Sequence, residues 1–400
     1  PELTTVGKSL KRLDAPQKLT GVERFTGDLR FPGQLFARPV GSPYAHARIR
    51  LVDASEALQI PGVVKVLTAA DLPLHRPEGG APVKSPLADG EVVFAGQFVA
   101  FVLGETDAAA MDGAAAVVVE YDELPVVVTL DDGLDPATAP VREGGGPMDN
   151  AEAGMHNADA ATQSAEEQET LPPNVSSSIH FERGDVRQGF AEADETVELT
   201  FNSLTVHQGY IETQACLVNI TPLGNLDVYT STQAAFHCRN RVSEGVGVPV
   251  HRVNVHPMPV GGGFGGKFVL IEPIVAALAV TSKRPVLFQY TRMEDFVSGN
   301  PAPDCRIQLK IGAKKDGTLT ALQGNVVFDT GAFAGSPLQI GSILMGGYYR
   351  VPNLDIRGYE VLTHKTAAGA YRAPGAQQGT FAIESAMDEL GRKLGLDPIE

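Results

Sequence analysis

Tryptophan is absent and tyrosine occurs only 9 times, so no aromatic binding surface stands out. Cysteine occurs at three positions, Cys216, Cys238 and Cys305. The number is odd, the spacing wide and no C-x-x-C is present, so cysteine alone builds neither an iron–sulfur cluster nor a zinc site. A reduced, cytoplasmic setting fits that usage. Positive charge is scarce: 32 Lys and Arg face 48 Asp and Glu, for a net charge of −16. That balance argues against a general role on nucleic acid or an anionic membrane. No apolar run reaches the ~18 residues needed to span a bilayer. The first residues, Pro1-Glu2-Leu3-Thr4-Thr5, lack the basic-then-apolar pattern of a signal peptide.

What is present is glycine (43), proline (28) and a hydrophobic fraction of 43% in 400 residues. The length suggests two or three domains with sizeable cores. The Gly and Pro content implies many turns and much β structure. Residues 1–20 read as a polar, extended N-terminal stretch. From 21 to 131 short strands alternate with short helices, giving a compact α+β domain. Phe98 to Leu103 is continuously apolar and reads as a central buried strand. Ala54 to Gln59 and Thr106 to Val117 read as helices, with Thr106 as N-cap. Residues 132–172 are rich in Gly, Ala and acidic side chains and read as a linker with an acidic insertion at 144–170. A second β-rich domain covers 173–400, with a hairpin about Gly224-Asn225 and an amphipathic helix from Thr380 to Leu394.

The chain is organised around Gly261-Gly262-Gly263-Phe264-Gly265-Gly266-Lys267. Such a backbone can take positive φ and lie close against a bulky group. Successive N–H groups, with a following helix N-terminus, can cradle an anion. A helix is expected from about Ile271 to Thr281, since Pro273 is tolerated in a first turn. The stretch satisfies G-x-G-x-x-G and the first seven positions of a P-loop. Yet Phe268 stands where a P-loop needs Ser or Thr. The strand at 285–290 also carries no acid of the kind a dinucleotide fold places on the ribose. A tight turn without a ligand is the bland alternative.

Four other stretches could carry chemistry. Thr232-Gln233 ends a strand, and a Gln there can donate to and accept from a ligand on the glycine loop. His207 and Glu212 lie close together, as an acid–base pair, metal ligands or, preferably, a hydrogen-bonded structural cluster. Tyr371-Arg372, before the last helix, places a possible anion grip. Asp329-Thr330-Gly331-Ala332 suits close packing or a cofactor wall. No G-x-S-x-G or Cys/His spacing supports nucleophilic catalysis.

Taken in order, these stretches resemble the large molybdenum-cofactor subunit of the xanthine dehydrogenase/aldehyde oxidase family. Lys18 to Gly21, Pro32 to Leu35, Ser42 to Ala47, Pro61 to Val63 and Gly96 to Ala100 are similar to its α/β hammerhead domain. Thr232-Gln233, Gly261 to Lys267, Asp329 to Ala332 and Tyr371-Arg372 with Gly375 resemble the first half of its molybdopterin-binding region. The resemblance implies an α+β fold of these two parts. It places Gln233 beside the pterin dithiolene and the metal, with Gly263, Phe264 and Gly265 presenting backbone there and Arg372 close by. Gln233 and Arg372 become the catalytic pair, and no side chain ligates molybdenum.

The departures bear on substrate. Purine-oxidising members carry an acid at Phe268, an arginine near Ile340 and an aromatic at Pro374. The apolar replacements imply a less polar pocket and argue against xanthine. Ala373 replaces the cysteine of the carbon monoxide branch. The family's catalytic glutamate lies beyond residue 400, so either the chain is a fragment or the large subunit is split. The resemblance thus implies a molybdenum–molybdopterin cofactor in its cytosine dinucleotide form, and oxidation of an N-heteroaromatic or aldehyde with water as oxygen source. It also implies partners: a separate chain holding the C-terminal half, a subunit with 2Fe–2S clusters and a subunit with FAD. A non-catalytic assembly subunit, or a nucleotide-dependent dehydrogenase using Gly261 to Gly266, are the alternatives.

Overall fold

A computed structural model describes residues 3–74, 85–142 and 171–399. The expected acidic insertion at 144–170 lies outside the described residues. The largest sheet has seven strands. From edge to edge these are Val253–Pro257, Leu226–Thr230, Ala215–Ile220, Val286–Gln289, Leu35–Gly41, Phe98–Gly104 and Val63–Leu67. Strands from the first hundred residues and from 215–289 therefore share one sheet. They join where Leu35 pairs in parallel with Val286. Phe98–Gly104 is buried at every position, because strands flank it on both sides and side chains cover both faces. Its Phe98 and Phe101 meet Phe288 edge-on at 6.0 and 5.1 Å, so aromatic packing holds the two halves of the sheet together.

A five-stranded sheet orders Val175–Arg183, Asn353–Leu362, Leu319–Gly331, Cys305–Ala313 and Glu195–Ser203. The helix Ala376–Leu394 lies on it, burying Ile383, Ala386 and Leu390, and ends at Gly395 with φ 69°. Glu91–Val92, Ala47–Asp53 and Val118–Glu123 make a small third sheet.

Several expectations shift by a turn or more. Residues 15–20 are helical, not extended: Pro16 opens the helix and Gly21 closes it at φ 72°. Ala54 to Gln59 yields only the single turn Ala57–Gln59, since Ile60 precedes Pro61 and is held extended (ψ 125°). Thr106 caps its helix by accepting from the Ala109 N–H at 3.1 Å. The beginning of the stretch read as a linker is packed: Val141 is fully buried and its N–H donates to Asn174 Oδ1 at 2.7 Å.

That packing runs through His364. Its Nδ1 accepts from the Val127 N–H and its Nε2 donates to the Val141 carbonyl, both at 2.9 Å. The ring stacks on His46 at 4.0 Å. Burial and the neighbouring His46 push the His364 imidazole down to about 4. The folded state thus keeps it neutral while an unfolded chain protonates it near 6.5. Stability from this group is whole above pH 6.5 and is lost as pH falls towards 4. Asp295, raised to about 6 by burial, works with the opposite sign in an overlapping range. The clean measurement is therefore a difference. His364→Asn keeps one acceptor and one donor, and the advantage of the wild type over it in urea unfolding should shrink by about 2 kcal/mol between pH 7 and 4.5. An unchanged difference would refute the assignment.

Candidate cofactor site

The glycine loop leaves the edge strand Val253–Pro257 and leads into the helix Glu272–Ser282, close to the span expected. Its backbone is held in conformations that ordinary residues avoid. Gly262 and Gly265 sit at φ 98° and 102°, and Phe264, a non-glycine, at 49°. The glycines are required by the protein around the loop. A Cβ on Gly263 would meet Gln233 Oε1 at 2.5 Å, and one on Gly265 would meet the Ala370 carbonyl oxygen at 2.5 Å.

Gln233 is exposed and lies over this loop. Its Oε1 accepts from the Gly265 N–H at 3.0 Å and the Lys267 N–H at 3.3 Å, and its own N–H donates to the Lys267 carbonyl at 2.7 Å. Two backbone donors can be satisfied only by the amide oxygen, so the orientation is fixed and Nε2 points its hydrogens elsewhere. Nε2 donates to no acceptor among the described residues. The same is true there of the Gly262, Gly263 and Phe264 backbone N–H groups. Arg372 joins the site through its backbone: its N–H donates to the Phe264 carbonyl at 2.8 Å, and its carbonyl accepts from Gln377 Nε2 at 2.6 Å. Its side chain is exposed, with no acid paired to it among the described residues.

The structure thus brings together Gln233, Gly263, Phe264, Gly265 and Arg372. Phe268 follows directly, its carbonyl accepting from Thr232 Oγ1 at 2.6 Å and its side chain 44% exposed. Gly375 and Gly341, the residues after Pro374 and Ile340, approach closely: a Cβ on Gly375 would lie 2.7 Å from the Gly341 nitrogen. Ala373, between Arg372 and Pro374, has φ 60°. A positive φ at alanine carries no sequence signal.

Two features of a phosphate site are already occupied. The helix N-terminus is filled by its own first residue: Glu272 is buried, with Oε2 accepting from the Leu270 N–H and Oε1 from Thr230 Oγ1, each at 2.9 Å. Burial raises its carboxyl above the ordinary range, and those hydrogen bonds oppose the rise. Lys267, which a P-loop would aim at phosphate, is buried and points behind the loop to Glu212 Oε2 at 2.7 Å. His207 and Glu212 form no pair with each other. His207 Nδ1 accepts from the Gly209 N–H and its ring leans on Phe296, while Glu212 serves the loop. Asp329 is likewise structural: Lys365 Nζ reaches it at 2.6 Å and Thr363 Oγ1 at 2.6 Å.

Among the described residues no group of three or more His, Cys, Asp or Glu side chains is placed to hold a metal ion. Among the described residues the donors left open at the loop are three backbone amides and one carboxamide nitrogen, with the Arg372 backbone bonded to the loop beside them. That set fits an anionic, oxygen-rich cofactor that brings its own metal ligands.

Comparison with known proteins agrees. The family model for the molybdopterin cofactor-binding domain matches residues 167–400, and that for the a/b hammerhead domain of aldehyde oxidase and xanthine dehydrogenase matches 20–125. The chain belongs to the xanthine dehydrogenase/aldehyde oxidase family of molybdenum hydroxylases, as a molybdopterin-binding subunit. A probable hypoxanthine oxidase of Escherichia coli K12 is 32% identical over all of this chain, which spans 44% of that protein. The nicotinate dehydrogenase large molybdopterin subunit of Eubacterium barkeri is 30% identical over 99% of this chain and 88% of its own length. The crystal structure of quinoline 2-oxidoreductase from Pseudomonas putida 86 superposes with a TM-score of 0.85 at 29% identity, over 99% of this chain and 49% of that one. The chain therefore spans about half the length of several proteins that it matches.

Proposed function

We propose that this chain is the molybdenum-cofactor chain of a multi-subunit hydroxylase that oxidises an N-heteroaromatic compound or an aldehyde with water as the oxygen source. The observation that carries the reading is the pinned Gln233 carboxamide over the open amides of Gly262 to Phe264. The bound cofactor supplies the two-electron oxidation. Gln233 Nε2 and the loop amides would hold it, and their fixed dipoles would favour negative charge there. The Arg372 guanidinium adds a positive charge beside them. Phe268, Ile340 and Pro374 give the substrate side an apolar wall, which suits aromatic rings and aldehydes better than purines.

The remaining half of the family's large subunit would close the site from a separate chain, as the resemblance implies; the nicotinate dehydrogenase large molybdopterin subunit is matched over 88% of its own length. A partner with 2Fe–2S clusters and another with FAD carry the electrons away, the cofactor takes its cytosine dinucleotide form, and the assembly works in the cytoplasm. No described helix is long and apolar enough to cross a membrane.

Gln233→Ala and Arg372→Ala in the reconstituted complex should each lower kcat/KM by about 10²-fold or more, the scale of losing one preorganised donor. Wild-type turnover in both variants would favour an assembly role with the chemistry elsewhere.

A further inference from the structure

Behind the loop lies a second layer of charge. Glu212 Oε2 accepts from two donors at 2.7 Å, the Gly261 N–H and Lys267 Nζ, and so touches both ends of the glycine run. The Glu212 N–H in turn donates to the Gly261 carbonyl at 3.1 Å. The Lys267 ammonium has no exposed side-chain surface and sits 4.9 Å from the centre of the Tyr210 ring. Tyr210 Oη donates to Asp295 Oδ1 at 2.9 Å, and Arg292 reaches Oδ2 at 3.0 Å. Gln214 Nε2 donates to the Gly266 carbonyl at 2.7 Å. The front of the loop meets the same lysine: the Lys267 N–H and carbonyl, with the Gly265 N–H, are the groups that hold Gln233.

We infer that Glu212 and Lys267 are positioning residues, which through the buried pair and Gly261 set where the Gly262 to Phe264 amides and Gln233 Nε2 point. This rests on the cofactor reading of the loop given above. The carboxylate of Glu212 faces the loop's rear, and the ammonium is spent on Glu212 and the Tyr210 face. Glu212 Oε1 is buried with no hydrogen-bond partner among the described residues, and only 10% of the Glu212 side chain is exposed. A buried pair of this kind adds little net stability when compared with apolar side chains of similar volume. What an apolar replacement cannot reproduce is an acceptor shared by Gly261 and Lys267.

The test uses the complex purified from its host. The double variant Glu212→Leu/Lys267→Met removes both charges together and so leaves neither one buried alone. Its melting temperature should stay within a few degrees of wild type, while molybdenum per chain falls about tenfold or the Mo(V) electron paramagnetic resonance signal moves. A stably folded double variant with wild-type molybdenum and an unmoved signal overturns the inference. Should the double variant fail to fold, Glu212→Asp serves instead. It keeps the charge but shortens the arm by one methylene, so it cannot reach Gly261 and Lys267 together, and the same loss or shift is expected. Full molybdenum with an unmoved signal in Glu212→Asp overturns the inference equally. Wild-type complex lacking molybdenum is a different result, which sinks the reading of the loop itself.

Discussion

Gly265→Ala is expected to empty the site. Gly265 has φ 102°, outside the region that L-residues populate, and a Cβ there would stand 2.5 Å from the Ala370 carbonyl oxygen and 2.7 Å from its carbon. The obstacle is backbone, so it cannot rotate aside. Strain of this sort costs about 1–3 kcal/mol for the dihedral alone, and the clash adds to it. Relief requires the loop to part from the segment that carries Arg372. That movement breaks the Gly265 N–H bond to Gln233 Oε1 and disturbs the Arg372 N–H bond to Phe264. Both the donors and the charge of the site would then be displaced together. The measurement is molybdenum per chain beside thermal unfolding, with Gly391→Ala as control. Gly391 lies in the helix Ala376–Leu394, where an added Cβ would meet nothing within 4 Å. Alanine there should leave metal content alone and stabilise by about 0.5–1 kcal/mol. Full metal content in Gly265→Ala would show that the loop's conformation is not what binds.

The second large effect is on stability. Glu272→Ala should cost about 3–5 kcal/mol, read as a lower urea midpoint at unchanged slope. Three losses combine. The Leu270 N–H loses its acceptor, the Thr230 hydroxyl loses one of its partners, and a cavity opens among Cys216, Cys238 and the helix. Leaving a buried donor unmatched accounts for about 1–3 kcal/mol of this. Glu272→Gln retains an acceptor oxygen and the volume, so it should cost far less. Equal losses in the two variants would mean that the charge, and not the acceptor, is what the site uses.

Local signals were well represented in the sequence. The run Phe98 to Leu103, the turn at Gly224-Asn225, the cap at Thr106 and the proline in the first turn of Glu272–Ser282 all act through neighbours a few residues away. The glycine loop, Gln233 and Arg372 were visible as residue types whose order resembles one family. Long-range pairing was not visible. Nothing in Leu35 to Pro39 announces a partner strand at Val286, because a short apolar strand can pair with many others. The same holds for Lys267. As a residue after a glycine run it suggests a phosphate lysine, and only the approach of Glu212 turns it inward. The cause of the glycines was also hidden. They were expected to admit a ligand, and the packing of Gln233, Tyr210, Gln208 and Ala370 against the loop is a second demand for them.

The central claim is that the chain holds a molybdenum cofactor on this loop. Its most direct test is elemental mass spectrometry of the protein purified from its native host, together with whatever co-purifies. The account predicts about one molybdenum per chain, with iron and a second large polypeptide present. Protein that keeps its partners and yet contains no molybdenum would contradict it.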